Sequence, residues 1–314
     1  MLRLFTLLAL IAAAGAPGSA APLGQRAIRI AVVDFGAEAT GQRVAGRLAE
    51  IISSDIRTTG TQDAAFQVID RDQTRAAAQG AGYHGSLNMT LQEARDLGSA
   101  IGCDLFFVGD ARTLRRSPSD RPAYFESYAA IYLVSARTGR LVSWERLSVE
   151  RASPEEAETA LFRQLAAKDT AHRYQREMGR ALEDESADRA HAIESGAPII
   201  QLVSDNDGGP DSGVQAPRPY RRLKPAYPEI AARAEVEATV DVLVDIDAHG
   251  EVGRLEIVRW AGYGLDQAVL DTVRHLHFFP GQRDGVPISV RALLRYNFRK
   301  PPLPDRSQIQ SRLP

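Results

Sequence analysis

Cysteine is nearly absent: the chain of 314 residues holds one, Cys103. No disulfide can close within it, and no thiolate cluster can hold a structural metal. A surplus of either charge is lacking too, since 38 Lys and Arg face 40 Asp and Glu, a net charge of −2. Phosphate neutralisation needs a basic excess or a dense basic face, so no nucleic-acid partner is expected. The chain has no glycine-rich phosphate loop, no nucleophile elbow and no His-Glu-x-x-His helix. Hence no enzyme activity, no cofactor and no small-molecule substrate is expected. No apolar run reaches the ~20 residues that cross a bilayer.

The one long apolar run lies at the start. Arg3 precedes "LFTLLALIAAA", which meets Gly15 and Pro17 and then small residues around Ala20. A basic start, a short apolar core and an A-x-A-like site describe a secretory signal peptide over residues 1–20, cut after Ala20. The expectation is a periplasmic protein exported by that cleaved leader; the alternative is an inner-membrane protein held by an uncleaved one. Cys103 stands in "AIGCDLFFVG", an apolar context that suits a buried, inert thiol. No cysteine directly follows the leader, so lipid attachment at a lipoprotein-type site is not expected.

Beyond the leader, 44% hydrophobic and 25% charged residues are ordinary for soluble protein, and the length suits about two domains. "IRIAVVDF" is a β-branched apolar run, the mark of a buried strand, and Val44, Leu48, Ile51 and Ile52 follow at helical spacing. "FQVIDRDQ" reads as a second strand, then helical stretches fall around 74–79 and 91–100, and "DLFFVGDARTL" reads as a third strand. A strand, a Thr138-Gly139 turn and another strand close residues 126–150. Strands alternating with helices and ending in a hairpin indicate an α/β domain with a mixed sheet, set at 26–152. The "V-I-D-R" before a helix, the "LGSAIGCDLFFVG" stretch and the late Thr-Gly hairpin resemble the periplasmic α/β domain of CsgG-type proteins and of the TolB amino-terminal part. That resemblance covers about 26–150 and implies a scaffold of envelope assemblies with no shared catalytic set. CsgG's membrane hairpins and lipid anchor have no counterpart here, so a secretion pore is not implied.

Ser153, Pro154 and Glu156 open a helix with a capping-box pattern, and Leu161, Leu165 and Met178 give it an apolar stripe. This helical extension is placed at 153–195 and is expected to become solvated beyond Gly179. Residues 196–218 have linker composition, with one apolar patch, "IIQLV". Asp211-Ser212-Gly213 matches the aspartic-protease triplet but lacks flanking apolar strands and a second copy, so no catalysis is assigned. Residues 300–314 are expected to form a disordered tail.

Residues 219–299 read as a small α+β domain: a short helix, two strands, a helix and a strand, two helices on an antiparallel sheet. The fold class is thus a two-domain α/β and α+β chain. "YPEIAARA" gives a helix too short to stand alone. Val240, Val242, Val244 and Ile246 alternate with polar residues, "DAHG" makes the turn, and Gly253 marks a bulge on the returning strand. Leu265, Ala268, Val269, Val273 and Leu276 share a helix face, and "ISVRALLRYNF" alternates to the end. In this order, these segments resemble the carboxy-terminal domain of TonB-family energy transducers. The resemblance implies a non-catalytic adaptor whose sheet edge pairs with a short segment of an outer-membrane transporter or another envelope protein. A terminal strand exposes unpaired backbone groups that can template such an addition. The candidate contacts are Ile288, Val290, Arg291, Leu293 and Arg295 on the last strand, with Arg222, Leu223, Lys224, Tyr227 and Pro228 bordering it. The alternative is an edge covered internally or in a homodimer. Three features depart from the family: no long amino-terminal membrane helix, no Pro/Lys/Glu-rich spacer, and Leu276 where Trp is common. His275 and His277 have no further His or Cys nearby, so no metal is assigned.

Overall fold

A computed structural model describes residues 27–59, 66–194, 200–201 and 214–300. The expected signal peptide, most of the expected linker and all of the expected tail but Lys300 lie outside them. The amino-terminal part runs β1 (Ile28–Val32), α1 (Ala39–Thr59), β2 (Phe66–Val68), α2 (Arg71–Gly80), α3 (Leu91–Ile101), β3 (Leu105–Arg116), β4 (Tyr124–Ser135), β5 (Leu141–Arg151), α4 (Pro154–Leu165) and α5 (Lys168–Glu194). Its five strands lie in the order β2-β1-β3-β4-β5, with β1 parallel to both neighbours and the β3–β4–β5 meander antiparallel. The mixed sheet is the one expected from the strand–helix alternation.

Both faces of this sheet are buried, which is why its strands read as unbroken apolar runs. On one face Ile30, Val32, Leu105, Phe107, Ile131 and Leu133 meet Val44 and Leu48 of α1 and Leu161, Tyr174 and Met178 of α4 and α5. On the other, Ala31, Phe106, Val108, Ala130, Tyr132 and Val134 meet Ala94, Leu97 and Ile101 of α3. Local chemistry sets the helix starts. "FQVIDRDQ" is a strand only to Val68, because the Asp70 carboxylate accepts from the amides of Asp72 and Gln73 and caps α2. Thr90 and Glu93 form a reciprocal capping box on α3. Ser153 caps α4, with Pro154 in its first turn. The extension is two helices, broken at Ala166 and Ala167. It does not leave the domain at Gly179: Glu185 is 7% exposed and accepts from the Ser135 hydroxyl.

The carboxy-terminal part adds β6 (Ile200–Gln201), β7 (Val214–Gln215), β8 (Arg218–Pro219), α6 (Glu229–Arg233), β9 (Ala238–Ile246), β10 (Val252–Arg259), α7 (Leu265–Arg274), β11 (Phe278–Phe279), β12 (Gly281–Arg283), β13 (Val286–Ile288) and β14 (Val290–Phe298). Its main sheet has the order β10-β9-β14-β6. Three antiparallel strands, with α6 and α7 packed on one face, give the α+β layer expected. Val240, Val242, Val244 and Ile246 are buried against Leu265, Val269 and Val273 of α7 and Ala231 of α6. Pairing slips between Val252 and Leu255, where Gly253 lies.

The two parts share one apolar cluster. Trp260, Ala261 and Tyr263, in the loop between β10 and α7, insert against the second face of the amino-terminal sheet. Trp260 is 1% exposed, its ring lies 5.7 Å from that of Tyr132, and its Nε1 donates to the Gly139 carbonyl at 3.1 Å. Gly262 sits at φ +73°, and a Cβ there would lie 2.5 Å from the Tyr132 ring. Asn88 closes the contact: its amide donates to the carbonyls of Thr239 (2.8 Å) and Trp260 (2.6 Å) and accepts from the Thr239 amide (3.0 Å). The described residues contain no helix long and apolar enough to cross a membrane.

Candidate partner-binding site

The carboxy-terminal sheet has two outer strands, and their surroundings differ. β10 faces the amino-terminal part: Arg259 forms an isolated bridge with Thr90, and Arg140 reaches Glu256 at 2.6 Å. That end of the edge is taken. β14 pairs with β9 along its whole length, from Val290–Ile246 to Phe298–Ala238. On its other side β6 pairs in parallel only with Val290 and Arg291. From Ala292 to Phe298 the outer side of β14 has no strand beside it among the described residues. Such an edge is a template for an added strand, and its length suits a typical strand of about 5–6 residues.

The candidate residues fall in different places around this edge. Leu293 lies on the open stretch, half-buried, opposite Leu243. Arg291 and Arg295 stand directly opposite Asp245 and Asp241 and grip them with two bonds each, at 2.5 and 2.8 Å and at 2.7 and 3.0 Å. These guanidiniums are engaged across the strand pair, on the face away from the helices. Asp241 is 3% exposed and also lies 3.4 Å from the Arg259 Nε, so the pairs fix register as well as charge. Val290 is fully buried between β9 and β6. Ile288 belongs to β13, where it pairs with Gly281, so the expected single strand is broken at Ser289.

The residues before α6 form a second border. Tyr227 donates its hydroxyl to the Val236 carbonyl at 2.5 Å, and its ring lies 6.1 Å from that of Phe298. Leu223 packs against the core, Pro228 occupies the cap position of α6, and Arg222 and Lys224 are exposed. Periodicity carried no sign of Asn88 or Trp260, because both stand in loops. No pattern but the bare presence of a Trp could have drawn attention to them.

The remaining reactive types have quiet surroundings. Burial, with Asp104 beside it, pushes the Cys103 thiol up to about 12, which keeps it protonated and inert. His275 Nδ1 lies 2.6 Å from the Asp271 carbonyl and His277 Nδ1 3.2 Å from Glu251, both exposed. Among the described residues no three His, Cys, Asp or Glu side chains are grouped to hold a metal ion. The geometry therefore offers backbone pairing and surface contact.

Comparison with known proteins adds to this. Residues 224–299 match the family model of the Gram-negative bacterial TonB protein C-terminal domain. The protein TonB of Vibrio cholerae serotype O1 is 30% identical over 79 residues, 25% of this chain and 32% of that protein. The chain thus spans about a third of that relative's length. Among solved structures, the Pseudomonas aeruginosa TonB carboxy-terminal domain aligns over 35% of this chain and 99% of its own at 20% identity, TM-score 0.25. A PelC dodecamer from Paraburkholderia phytofirmans aligns over 45% of this chain and 86% of its own, at 9% identity and TM-score 0.25.

Proposed function

We propose that this protein is a non-enzymatic periplasmic adaptor of the cell envelope, related to TonB-dependent transport, that takes an extended partner segment onto the β14 edge. The observation that carries this reading is the β14 edge: among the described residues Ala292–Phe298 has a strand, β9, on one side only, while the Arg259 end of β10 is bridged to Thr90. The likeness of residues 224–299 to TonB carboxy-terminal domains supports an outer-membrane transporter or another envelope protein as the partner. Export by the signal peptide at 1–20 places the chain where such a partner is found. The amino-terminal sheet, with its resemblance to CsgG-type and TolB-type domains, then acts as the scaffold that presents the edge.

A second reading is favoured by the buried loop at Trp260. A TonB-type domain pinned to a neighbouring sheet suits a structural or assembly scaffold that transmits no force. The two readings part on one measurement, amide exchange of the full chain with added short segments of outer-membrane transporters. An adaptor shows newly protected amides within 292–298. Binding that leaves these amides exchanging as before, or edge protection that depends only on protein concentration, overturns edge pairing with a partner; the latter marks a homodimer.

A further inference from the structure

The stretch from Val214 to Pro228 carries Arg218, Arg221, Arg222 and Lys224 and no acidic residue. All four side chains are exposed. Several arginines elsewhere, Arg140, Arg146, Arg259, Arg291 and Arg295, each hold a carboxylate. Among the described residues these four have no carboxylate partner. The described acids that next follow it along the chain are occupied, Glu229 by Arg233 and Glu235 by Lys300.

One end of this basic stretch adjoins the end of the open edge, and the other lies towards the β9–β10 turn. At one end the Tyr220 amide donates to the His277 carbonyl, and the Phe278 amide donates to the carbonyl of Gly250, in the β9–β10 turn. At the other end the Tyr227 ring lies 6.1 Å from Phe298, the last residue of β14. Residues 220–227 therefore connect the His277 end of the domain to the Phe298 end of β14. Pro217, Pro219, Pro225 and Pro228 stiffen the run, so ordering its charges costs little further entropy. Where it begins, Tyr220 and Phe279 stack at 4.3 Å while remaining 59% and 52% exposed, and the Arg218 guanidinium lies 5.7 Å over Phe279.

We propose that the occupant of the β14 edge is an acidic extended segment of a partner protein, lying along Arg221, Arg222 and Lys224 while its backbone pairs with Ala292–Phe298. This rests on the edge-pairing reading and adds the chemistry of the partner. A single exposed ion pair contributes little, but several unpaired cations on one stretch steer an acidic segment and reject a basic one. A lipid headgroup could use the cations but not the unpaired strand beside them, so the peptide is the better match.

The test uses the full chain with two peptide probes, one alternating valine with aspartate and its asparagine counterpart. At low ionic strength the aspartate peptide should bind about tenfold tighter. The triple variant Arg221→Gln, Arg222→Gln, Lys224→Gln should bring the ratio near one without weakening the asparagine peptide. All three positions are exposed, and circular dichroism checks the fold. Equal binding of both peptides to the unchanged protein overturns the acidic preference and leaves edge pairing standing. An aspartate peptide N-methylated at alternate amides that binds as well as its parent overturns the edge reading instead. Absence of binding by either peptide overturns both. Binding only after residues 202–211, with Asp205, Asp207 and Asp211, are replaced by a Gly-Ser linker makes the chain's own segment the occupant and overturns an external one. Sedimentation with phosphatidylglycerol vesicles, lost in the triple variant and with no peptide preference, replaces the peptide with a lipid surface.

Discussion

The two sheets of this molecule solve opposite problems. The amino-terminal sheet is closed: helices cover one face, helices and the Trp260 loop cover the other, and Ile30, Phe106, Phe107 and Leu133 are wholly buried. The carboxy-terminal sheet is open: one face carries Val240, Val242 and Val244 against α7, while the other carries cross-strand pairs such as Arg291–Asp245. A sheet buried on both faces is a platform, and a half-covered sheet keeps an edge for a partner. The carboxy-terminal sheet is held to the platform by the Trp260 loop and the Arg259 end of β10, and β14 stands two strands away from that contact.

The comparison breaks most sharply at the loop that joins the sheets. Trp260→Ala removes a buried ring and its bond to Gly139, and should cost about 3–5 kcal/mol of the docked state. Urea unfolding should then resolve two transitions, one per sheet. A single transition with an unchanged midpoint would mean that the sheets are coupled elsewhere. Asn88→Ala is the milder form of the same break. It leaves the Thr239 amide and the carbonyls of Thr239 and Trp260 without their partner, at about 1–3 kcal/mol. Amide exchange should rise at Thr239 and Trp260 first, with the core of the amino-terminal sheet unaffected.

Legibility followed the same division. The strand from Val240 to Ile246 was plain in the sequence because one buried face imposes a period of two. The runs at Ile28 and Leu105 were equally plain, since strands buried on both faces are apolar throughout. Failures came where periodicity and structure part. "ISVRALLRYNF" alternates without a break, yet Ile288 pairs with Gly281 in a separate hairpin, and β14 starts only at Val290. The second half of "FQVIDRDQ" became a helix because Asp70 caps it. The Trp260 loop and Asn88 carry no periodic signal, so the docking of the two sheets could not be read at all. Of the candidate residues, those on the last strand were read from its alternation and those before α6 from their place ahead of the short helix. That Arg291 and Arg295 are spent on Asp245 and Asp241 depends on a cross-strand register visible only in three dimensions.

The smallest expected effect separates the sheets by pH. On the amino-terminal sheet, burial alone would raise the Glu126 carboxyl, but bonds from Arg146, Ser148 and Arg116 outweigh it and hold it at about 2. Its folded value lies below its unfolded one, so its stabilisation is full above the ordinary glutamate range and is lost as pH falls towards about 2. Asp266, under the Trp260 loop, goes the other way. Burial lifts it to about 6, against the pull of the amides of Ala261 and Gly262 that it accepts from. Its folded value lies above its unfolded one, so the folded state holds a proton between 3.8 and about 6 that the unfolded chain has released. Docking should therefore strengthen as pH falls from neutral through about 6, by about 1 kcal/mol after allowance for partial solvent access. From neutral down to about 6 Glu126 is ionised in both states and adds no slope; nearer its ordinary value of 4.5 it opposes the gain. Urea midpoints of the unchanged protein and of Asp266→Asn, compared at neutral pH and just below the Asp266 transition, isolate the effect. The variant should lose the gain on acidification, and an identical slope in both proteins would place the pH response outside the loop that joins the two sheets.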